Sequence, residues 1–274
     1  MIIDPFQRDD FAPFLKLATT ENWMVDPWEF EFLLSAFPQG CCAARADGGE
    51  LAGCVTSLKH GCSGWIGNLI VAEGFRGRGI GQELFVSALE ALRAEGVETV
   101  WLTASKLGQA LYEKHGFKSI DTIVRWSGTG RQRHIRRGAV ANCGGHDTLL
   151  NEIDAQAWGD QRAALLAATV ARGKLLQQPA GFAVLQPCGD ALQIGPFSAL
   201  EDATADDLLK AALQSAALGT KLYLDAPASN RAALRLFNRR GLRISGRTRL
   251  MYRGRKPDYR AEFLYGLASL GSCG

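Results

Sequence analysis

The sequence predicts an α/β (α+β) fold built from two consecutive domains, each a mixed, mostly antiparallel sheet flanked by helices. Three observations lead to this prediction. Helix-like and strand-like patterns alternate along the chain, the second half repeats the first in outline, and a stretch without periodicity separates the halves. We therefore predict a first domain over residues 1–126, a linker over 127–145 and a second domain over 146–274.

The first half opens with two helices. Apolar residues recur at spacings of three and four in FAPFLKLATT and DPWEFEFLLSAF, which is typical of amphipathic helices. Short apolar runs separated by turn residues then predict an antiparallel meander over GCCAARA, LAGCVTSLK and GWIGNLIVA. A helix follows, with its apolar face between Leu84 and Leu92 and its end near Gly96. Three further segments predict a strand, a short helix and a strand: VETVWLTA, GQALYEKH and FKSIDTIVRW.

The second half repeats this plan. We predict a helix over AQAWGDQRAALLAATVAR, a hairpin around PCGD, a helix over DDLLKAALQSAA and a strand over TKLYLDAP. The segment NRAALRLFNRRGL then matches SKLGQALYEKHGF in register, which sets Asn230 against Ser105 and Phe237 against Tyr112. An internal duplication is the simplest explanation.

Composition excludes several classes of protein. With 274 residues, of which 47% are hydrophobic and 22% charged, the chain is predicted to be soluble and globular. Its net charge of +3 is too small to indicate a nucleic-acid partner, and no apolar run is long enough to span a membrane. The first residues lack the pattern of a signal peptide, so we expect a cytoplasmic protein. Seven cysteines without CxxC spacing or paired histidines predict neither disulfides nor a metal site.

The predicted linker carries a basic cluster. It has two interpretations, an acidic partner or a solvated connector, and the second is the commoner one for such a segment. The cluster consists of Arg131, Arg133, Arg136 and Arg137.

The stretch NLIVAEGFRGRGIGQELF, residues 68–85, joins a strand to a helix through a glycine-rich turn. Free backbone N–H groups and the positive end of a helix then meet at one place, which favours phosphate binding. A Walker loop requires Gly-Lys-Ser/Thr, but Gly81 is followed by Gln82 and Glu83. A dinucleotide fingerprint requires a glycine where Gln82 stands. The pattern that remains is Arg76-x-x-Gly79-x-Gly81.

This pattern, followed by LYEKHGF, resembles the GCN5-related N-acetyltransferases (GNAT family). Their signature is Arg/Gln-x-x-Gly-x-Gly/Ala at the start of a helix, with Tyr-x-x-x-Gly-Phe about 30 residues later. The resemblance covers residues 1–126, and the weaker second copy resembles tandem bacterial members of the YitH-like type. It implies an acetyltransferase that uses acetyl-CoA.

The resemblance also implies roles for individual residues. The turn and helix start would hold the pyrophosphate of coenzyme A, and the preceding strand would pair with the pantetheine arm. Tyr112 would be the general acid that protonates the leaving thiolate. The implied cofactor-binding residues are Leu69, Ile70, Val71, Arg76, Arg78, Gly79, Ile80, Gly81, Gln82, Glu83 and Ser105.

The sequence departs from the family pattern in three respects. The strand GWIGNLIV lacks the glutamate that many members use as a general base, so either a water chain or a residue from elsewhere takes the amine proton. Ser105 stands where asparagine is common. In the second copy, acidic residues near Asp202 replace the phosphate-binding loop and Phe237 replaces the tyrosine, which predicts that this copy has lost the cofactor.

The acceptor site is expected between the first two helices, where Trp23, Asp26 and Trp28 are the candidate residues. The tryptophans would pack a cation or an aromatic ring, and Glu21, Asp26 or Glu29 would hold an ammonium group. In the alternative interpretation the tryptophans belong to the core, and Asp26-Pro27 is an N-cap followed by an N1 proline.

Three functions are compatible with these features. The first is direct transfer of an acetyl group from acetyl-CoA to a primary amine of a small molecule or peptide. The second is a non-catalytic acyl-CoA-binding regulator, and the third is an acyltransferase with Cys54 or Cys62 as nucleophile. We expect either a monomer with an internal pseudo-dimer or a homodimer.

Overall fold

The structure, a computed structural model, describes residues 1–132 and 147–274 and confirms the predicted α/β class. The elements of the first half are β1 (Ile2–Pro5), α1 (Phe11–Thr20), α2 (Pro27–Ala36), β2 (Cys42–Arg45), β3 (Leu51–Lys59), β4 (Ser63–Val71), α3 (Ile80–Ala94), β5 (Thr99–Ala104), α4 (Gln109–Lys114) and β6 (Lys118–Thr129). Those of the second half are α5 (Asp147–Trp158), α6 (Ala163–Arg172), β7 (Lys174–Gln178), β8 (Gly181–Cys188), β9 (Ala191–Ala199), α7 (Asp202–Ser215), β10 (Lys221–Pro227), α8 (Arg231–Arg239), β11 (Arg243–Gly254) and β12 (Leu264–Gly266).

The structure differs from the predicted elements in one helix, four strands and the start of the linker. The single helix predicted over residues 155–172 is wrong, because Gly159 adopts a φ of 82° and separates α5 from α6. The strands β1, β7, β11 and β12 had no counterpart in the prediction. Of the predicted linker, residues 127–129 belong to β6, whereas residues 133–145 lie outside the described residues. Arg133, Arg136, Arg137 and Cys143 fall in that undescribed part.

The described strands form one sheet in the order β1-β2-β3-β4-β5-β11-β6-β10-β9-β8-β7, with β12 paired to β9. The two halves exchange their last long strands. β11 of the second half lies between β5 and β6, and β6 of the first half pairs with β10. Neither half therefore completes its own part of the sheet.

An ion pair joins the halves at this exchange. Arg125 on β6 lies opposite Asp225 on β10, with Nε to Oδ1 at 2.8 Å and Nη2 to Oδ2 at 2.7 Å. The bidentate geometry suits a guanidinium and a carboxylate. Because the carboxylate is buried, removal of either partner would leave a poorly solvated charge.

Helices cover both faces of the sheet around β4. On one face, Leu92 of α3 lies against Gly64. On the other, Trp65 packs against Trp158 of α5 at 6.0 Å, and Trp101 of β5 lies 4.8 Å from the same ring. A buried cluster that contains these three tryptophans thus joins the two halves.

The segment 264–274 runs from the second half to the first. Leu264 pairs with Ser198 of β9, and the N–H of Leu267 donates to the carbonyl of Asp225 on β10 at 2.8 Å. Further along, the backbone of Ser272 lies so close to Gly67 of β4 that a side chain at Gly67 would collide with it. This segment brings residues of the second half to the centre of the first.

Among the described residues, no helix is long and apolar enough to cross a membrane.

Candidate functional site

The site opens where β4 and β5 separate. These parallel strands pair only from Ser63 with Thr99 to Trp65 with Trp101, and two adjoining cavities lie beyond that point. We call the larger, of about 480 Å³, the outer cleft and the smaller, of about 210 Å³, the inner pocket. Four residues line both cavities: Trp23, Leu69, Ser105 and Tyr112.

The outer cleft is bounded by the strand, turn and helix that the sequence singled out. Gly77 and Gly79 have φ values of 76° and 84°, a conformation that glycine adopts without strain. The N–H groups of Gln82 and Glu83 donate to the carbonyl of Gly79, so the free donors of the first helical turn precede them. The predicted residues that line this cleft are Leu69, Ile70, Val71, Arg76, Gly79, Ile80, Gly81, Gln82 and Ser105. Such a turn at a helix start is suited to a phosphate group.

The two arginines of the turn are engaged with the protein itself. Nε of Arg76 donates to the carbonyl of Val71 at 2.9 Å, and its guanidinium forms an ion pair with Glu21. Nη2 of Arg78 donates to the carbonyl of Gly74 at 3.0 Å. Through these hydrogen bonds the two arginines stabilise the conformation of the turn. Arg78 and Glu83 do not line the cleft.

Tyr112 lies where the two cavities meet. Its ring packs against Phe85 at 5.1 Å, and the residue is 8% exposed. Burial raises the pKa of the phenol to about 12, so the hydroxyl keeps its proton at neutral pH. This hydroxyl has no hydrogen-bond partner within residues 1–132 and 147–274 and is free to donate.

Ser105 lies at the start of the turn that leads into the short helix α4. Its Oγ accepts a hydrogen bond from the N–H of Gly108, the N-cap residue of that helix, at 3.2 Å. Ser105 also lines both cavities, so it lies where the family resemblance implies a contact to the cofactor. Its side chain is shorter than the asparagine that is common at this position.

The inner pocket takes its walls from both halves. Asn68 and Thr103 come from β4 and β5, whereas Thr248 of β11 and Ser272 belong to the second half. Asn68 has a φ of 52° and donates from Nδ2 to Oγ1 of Thr56 at 3.0 Å, which fixes a bulge in β4. Arg125 completes the wall and is held by its pair with Asp225.

Glu29 of α2 is the carboxyl group on this wall. It is 8% exposed, and its Oε2 accepts a hydrogen bond from Oγ of Ser272 at 2.6 Å. Desolvation raises the pKa of this carboxyl from 4.5 to about 7, against the opposing hydrogen bond from Ser272. The negative charge of Asp26 raises the pKa further, and the positive charges of Arg172 and Arg125 lower it.

Of the three residues expected at the acceptor site, Trp23 lines both cavities and is 39% exposed. Asp26 and Trp28 do not line the inner pocket. Oδ1 of Asp26 accepts from the N–H of Trp28 at 2.9 Å and Oδ2 pairs with Arg172 at 2.7 Å, so the N-cap interpretation is confirmed. Trp28 stacks on Phe32 at 5.4 Å and lies under the guanidinium of Arg172.

The corresponding gap in the second half is filled by the chain. β9 and β10 pair only at Leu192 with Leu222 and at Gln193 with Tyr223, and β12 lies in the space beyond. Nδ2 of Asn230, the counterpart of Ser105, donates to the carbonyl of Leu264 at 2.8 Å.

At the start of α7, Asp202 accepts a hydrogen bond from the hydroxyl of Tyr265 at 2.8 Å. Tyr265 and the carboxylate of Asp202 thus lie at the start of α7. The corresponding place in the first half, the start of α3, has a glycine turn with free N–H groups. In the second half, β12 and a carboxylate therefore occupy the place that the outer cleft has in the first half.

Neither candidate nucleophile reaches the cavities. Cys54 is buried in the core, and burial raises its thiol pKa well above the usual value. Cys62 is exposed, but desolvation and the neighbouring Asp160 raise its thiol pKa as well. A raised pKa disfavours the thiolate that nucleophilic catalysis requires. No group of side chains in the described part of the chain is arranged to bind a metal ion.

Comparison with known families identifies the class of protein. The model described as "Acetyltransferase (GNAT) family" matches residues 7–117, and the model described as "Acetyltransferase (GNAT) domain" matches residues 150–266. The chain therefore belongs to the GCN5-related N-acetyltransferase family. It is an acetyltransferase of the tandem type, with two GNAT domains in one chain.

Solved structures share this arrangement over nearly the full length. An inferred acetyltransferase from Pyrococcus horikoshii is 27% identical, with a TM-score of 0.84 over 98% of this chain and 94% of its own. A GCN5-related N-acetyltransferase from Sphaerobacter thermophilus is 17% identical, with a TM-score of 0.67 over 94% of this chain and 98% of its own. The latter likeness concerns the fold alone. A search of curated proteins found no match.

Proposed function

We propose that the chain transfers the acetyl group of acetyl-CoA to a primary amine of a small molecule or peptide by direct attack. The observation that carries the proposal is the junction of two cavities at Tyr112. The outer cleft has a glycine turn whose free N–H groups suit a phosphate, and the inner pocket has a carboxyl group suited to an ammonium ion. One site for each reactant, with a proton donor between them, is what a direct transfer requires.

The residues of the outer cleft fit coenzyme A. The free N–H groups before Gln82 would hold the pyrophosphate, and the unpaired edge of β4 at Leu69–Val71 would accept the pantetheine arm. When bound, acetyl-CoA supplies the activated acyl group and a thiolate leaving group.

The residues of this chain would then control protons and orientation. Tyr112 would donate its phenolic proton to the thiolate, because the phenol is neutral at working pH and its hydroxyl is otherwise unpaired. Leu69 would offer a backbone N–H to the oxygen of the acyl carbonyl, as in an oxyanion hole. Trp23, at the mouth of both cavities, would limit access of water.

We further propose a single cofactor site per chain. The second cleft is filled by β12, and the acidic start of α7 would repel a pyrophosphate. The second domain would instead supply Thr248, Ser272 and the ion pair that fixes Arg125 in the wall of the acceptor pocket.

The proposal is tested by measuring free thiol production from acetyl-CoA with a panel of primary amines. Amine-dependent thiol release by the wild-type chain is expected, together with loss of acetyl-CoA binding in Gly81→Asp. A side chain at Gly81 meets only Val71 at an ordinary contact distance, so this variant should fold, with a carboxylate beside the phosphates. Gly48→Asp, in open space on a distant turn, is the matched control. Binding of acetyl-CoA without turnover for any amine would favour the non-catalytic regulator.

A further inference from the structure

The buried carboxyl group of Glu29 has a free oxygen at the inner pocket. Oε2 accepts the hydrogen bond from Ser272, while Oε1 has no hydrogen-bond partner among residues 1–132 and 147–274. A buried carboxyl oxygen is costly to leave unpaired unless it contacts solvent or a ligand. Since Glu29 lines the pocket, Oε1 is the atom available to an acceptor group there.

The other carboxyl groups near the two cavities are committed elsewhere. Asp225 gives both oxygens to Arg125, and Glu21 pairs with Arg76 at the outer cleft. Asp26 caps α2 and pairs with Arg172. Glu29 alone, among the described residues lining the inner pocket, combines a carboxyl group with a free oxygen.

We propose that Glu29 is the catalytic base of the acetyl transfer, with Ser272 of the second domain as the residue that positions it. This inference rests on the proposed function. As the amine nitrogen attacks, a nitrogen–carbon bond forms and the carbon–sulfur bond breaks. The proton lost by the nitrogen goes to Oε1 of Glu29, and the thiolate takes a proton from Tyr112. Both side chains then exchange protons with solvent, which restores the starting state.

The surroundings tune this base to neutral pH. The charged groups that act on Glu29 are Asp26 on its own element, Arg172 of α6 and Arg125 of β6. Two buried thiols, Cys188 and Cys273, lie within electrostatic range, and burial raises their pKa to about 12, so they stay neutral. A base with a pKa near the working pH accepts a proton readily and is also ionised often enough to act.

The arrangement explains how this chain operates without an acid on β4. The β4 residues that line the pocket are Ile66, Gly67, Asn68 and Leu69, none of which is an acid. Gly67 is needed because Ser272 passes close to it. The same close passage brings Oγ of Ser272 to Glu29. A helix of the first domain and a segment of the second therefore supply together what the strand lacks.

The test is the pH dependence of kcat/KM for amine-dependent thiol release, from pH 5.5 to 9. The wild-type rate should fall on the acid side with a midpoint near the Glu29 pKa of about 7, as the carboxylate is protonated. Glu29→Gln should remove this limb and lower kcat/KM at pH 8 by ~10²-fold, while acetyl-CoA affinity is kept. Glu31→Gln is the matched control, because Glu31 lies on the same helix and pairs on the surface with Arg8.

Ser272→Ala gives a second, independent measurement. Loss of its hydrogen bond should destabilise the carboxylate and move the acid limb to higher pH, whereas a merely structural role would lower the rate equally at every pH. If Glu29→Gln does not fold, the position of the acid limb in Ser272→Ala is the deciding measurement. A shift of this limb to higher pH supports the proposal, and an unshifted limb overturns it. An active wild-type chain with an unchanged profile in Glu29→Gln would overturn the role of Glu29 alone. A wild-type chain that acetylates no amine would overturn the proposed function itself.

Discussion

Replacement of Glu29 by glutamine should stabilise the fold while it impairs catalysis. The folded-state pKa of this carboxyl is about 7, above its ordinary value of 4.5. Between pH 4.5 and pH 7, Glu29 is therefore mostly protonated in the folded chain and mostly ionised in the unfolded chain. Stability contributed by this group is therefore present at low pH and is lost as the pH rises through 7. Glutamine, which is neutral throughout, escapes this loss and still offers an oxygen to Ser272.

The size of the effect follows from the pKa change. Each tenfold change in an ionisation equilibrium is worth about 1.4 kcal/mol, so ionised Glu29 costs the fold about 3 kcal/mol at pH 8. At pH 5 the cost falls to about 1 kcal/mol or less, because Glu29 is then protonated in the folded state. The free energy of unfolding of the glutamine variant should exceed that of the wild type by these amounts.

Urea unfolding followed by tryptophan fluorescence at both pH values measures this difference, with Glu31→Gln as the control that should remain near the wild type at both. Equal stability of Glu29→Gln and the wild type at pH 8 would refute the expected cost of ionised Glu29. A gain in stability that persists undiminished at pH 5 would also refute it, since the cause would then be packing and not ionisation.

Three further predictions concern the remaining parts of the site. Tyr112→Phe should lower turnover by ~10²-fold while acetyl-CoA affinity is retained. The control is Tyr252→Phe, at a half-buried tyrosine on β11, which should keep the wild-type turnover. Equal turnover in both variants would remove Tyr112 from the mechanism. Calorimetric titration should find one acetyl-CoA site per chain, because β12 fills the second cleft; two equivalent sites would contradict this. The fragment 1–126 should bind coenzyme A weakly or be poorly soluble, since β5 and β6 lose their pairing with β11; acetylation at the rate of the full chain would be the opposing result.

The parts of the site that lie close together in the sequence were predictable from it. The turn with Gly79 and Gly81, the preceding strand and Tyr112 combine local patterns of turn, helix and strand, and the structure gathers them around the outer cleft. The Asp26-Pro27 helix start is also local, because an N-cap depends on its own next few residues.

The inner pocket could not be predicted in this way, because it depends on long-range pairing. β11 has the sequence RISGRTRLMYRG, whose four arginines hide the alternation expected of a strand, and nothing local indicates that it inserts between β5 and β6. Thr248, Arg125 and Ser272 therefore had no visible connection to the acceptor. Glu29 is one of three acids that the sequence offers for the ammonium group, and its burial beside Ser272 distinguishes it from Glu21, which pairs with Arg76.

The central claim, direct transfer from the outer cleft to the inner pocket, is tested most directly by a single-turnover experiment. Acetyl-CoA labelled in its acetyl group is mixed with an excess of the chain and quenched rapidly, with and without an amine that supports thiol release. We expect the label to remain in the thioester without amine, to appear on the amine when it is present, and at no time on the protein. Label on the protein before the amine is added, or none on the amine afterwards, would contradict the account.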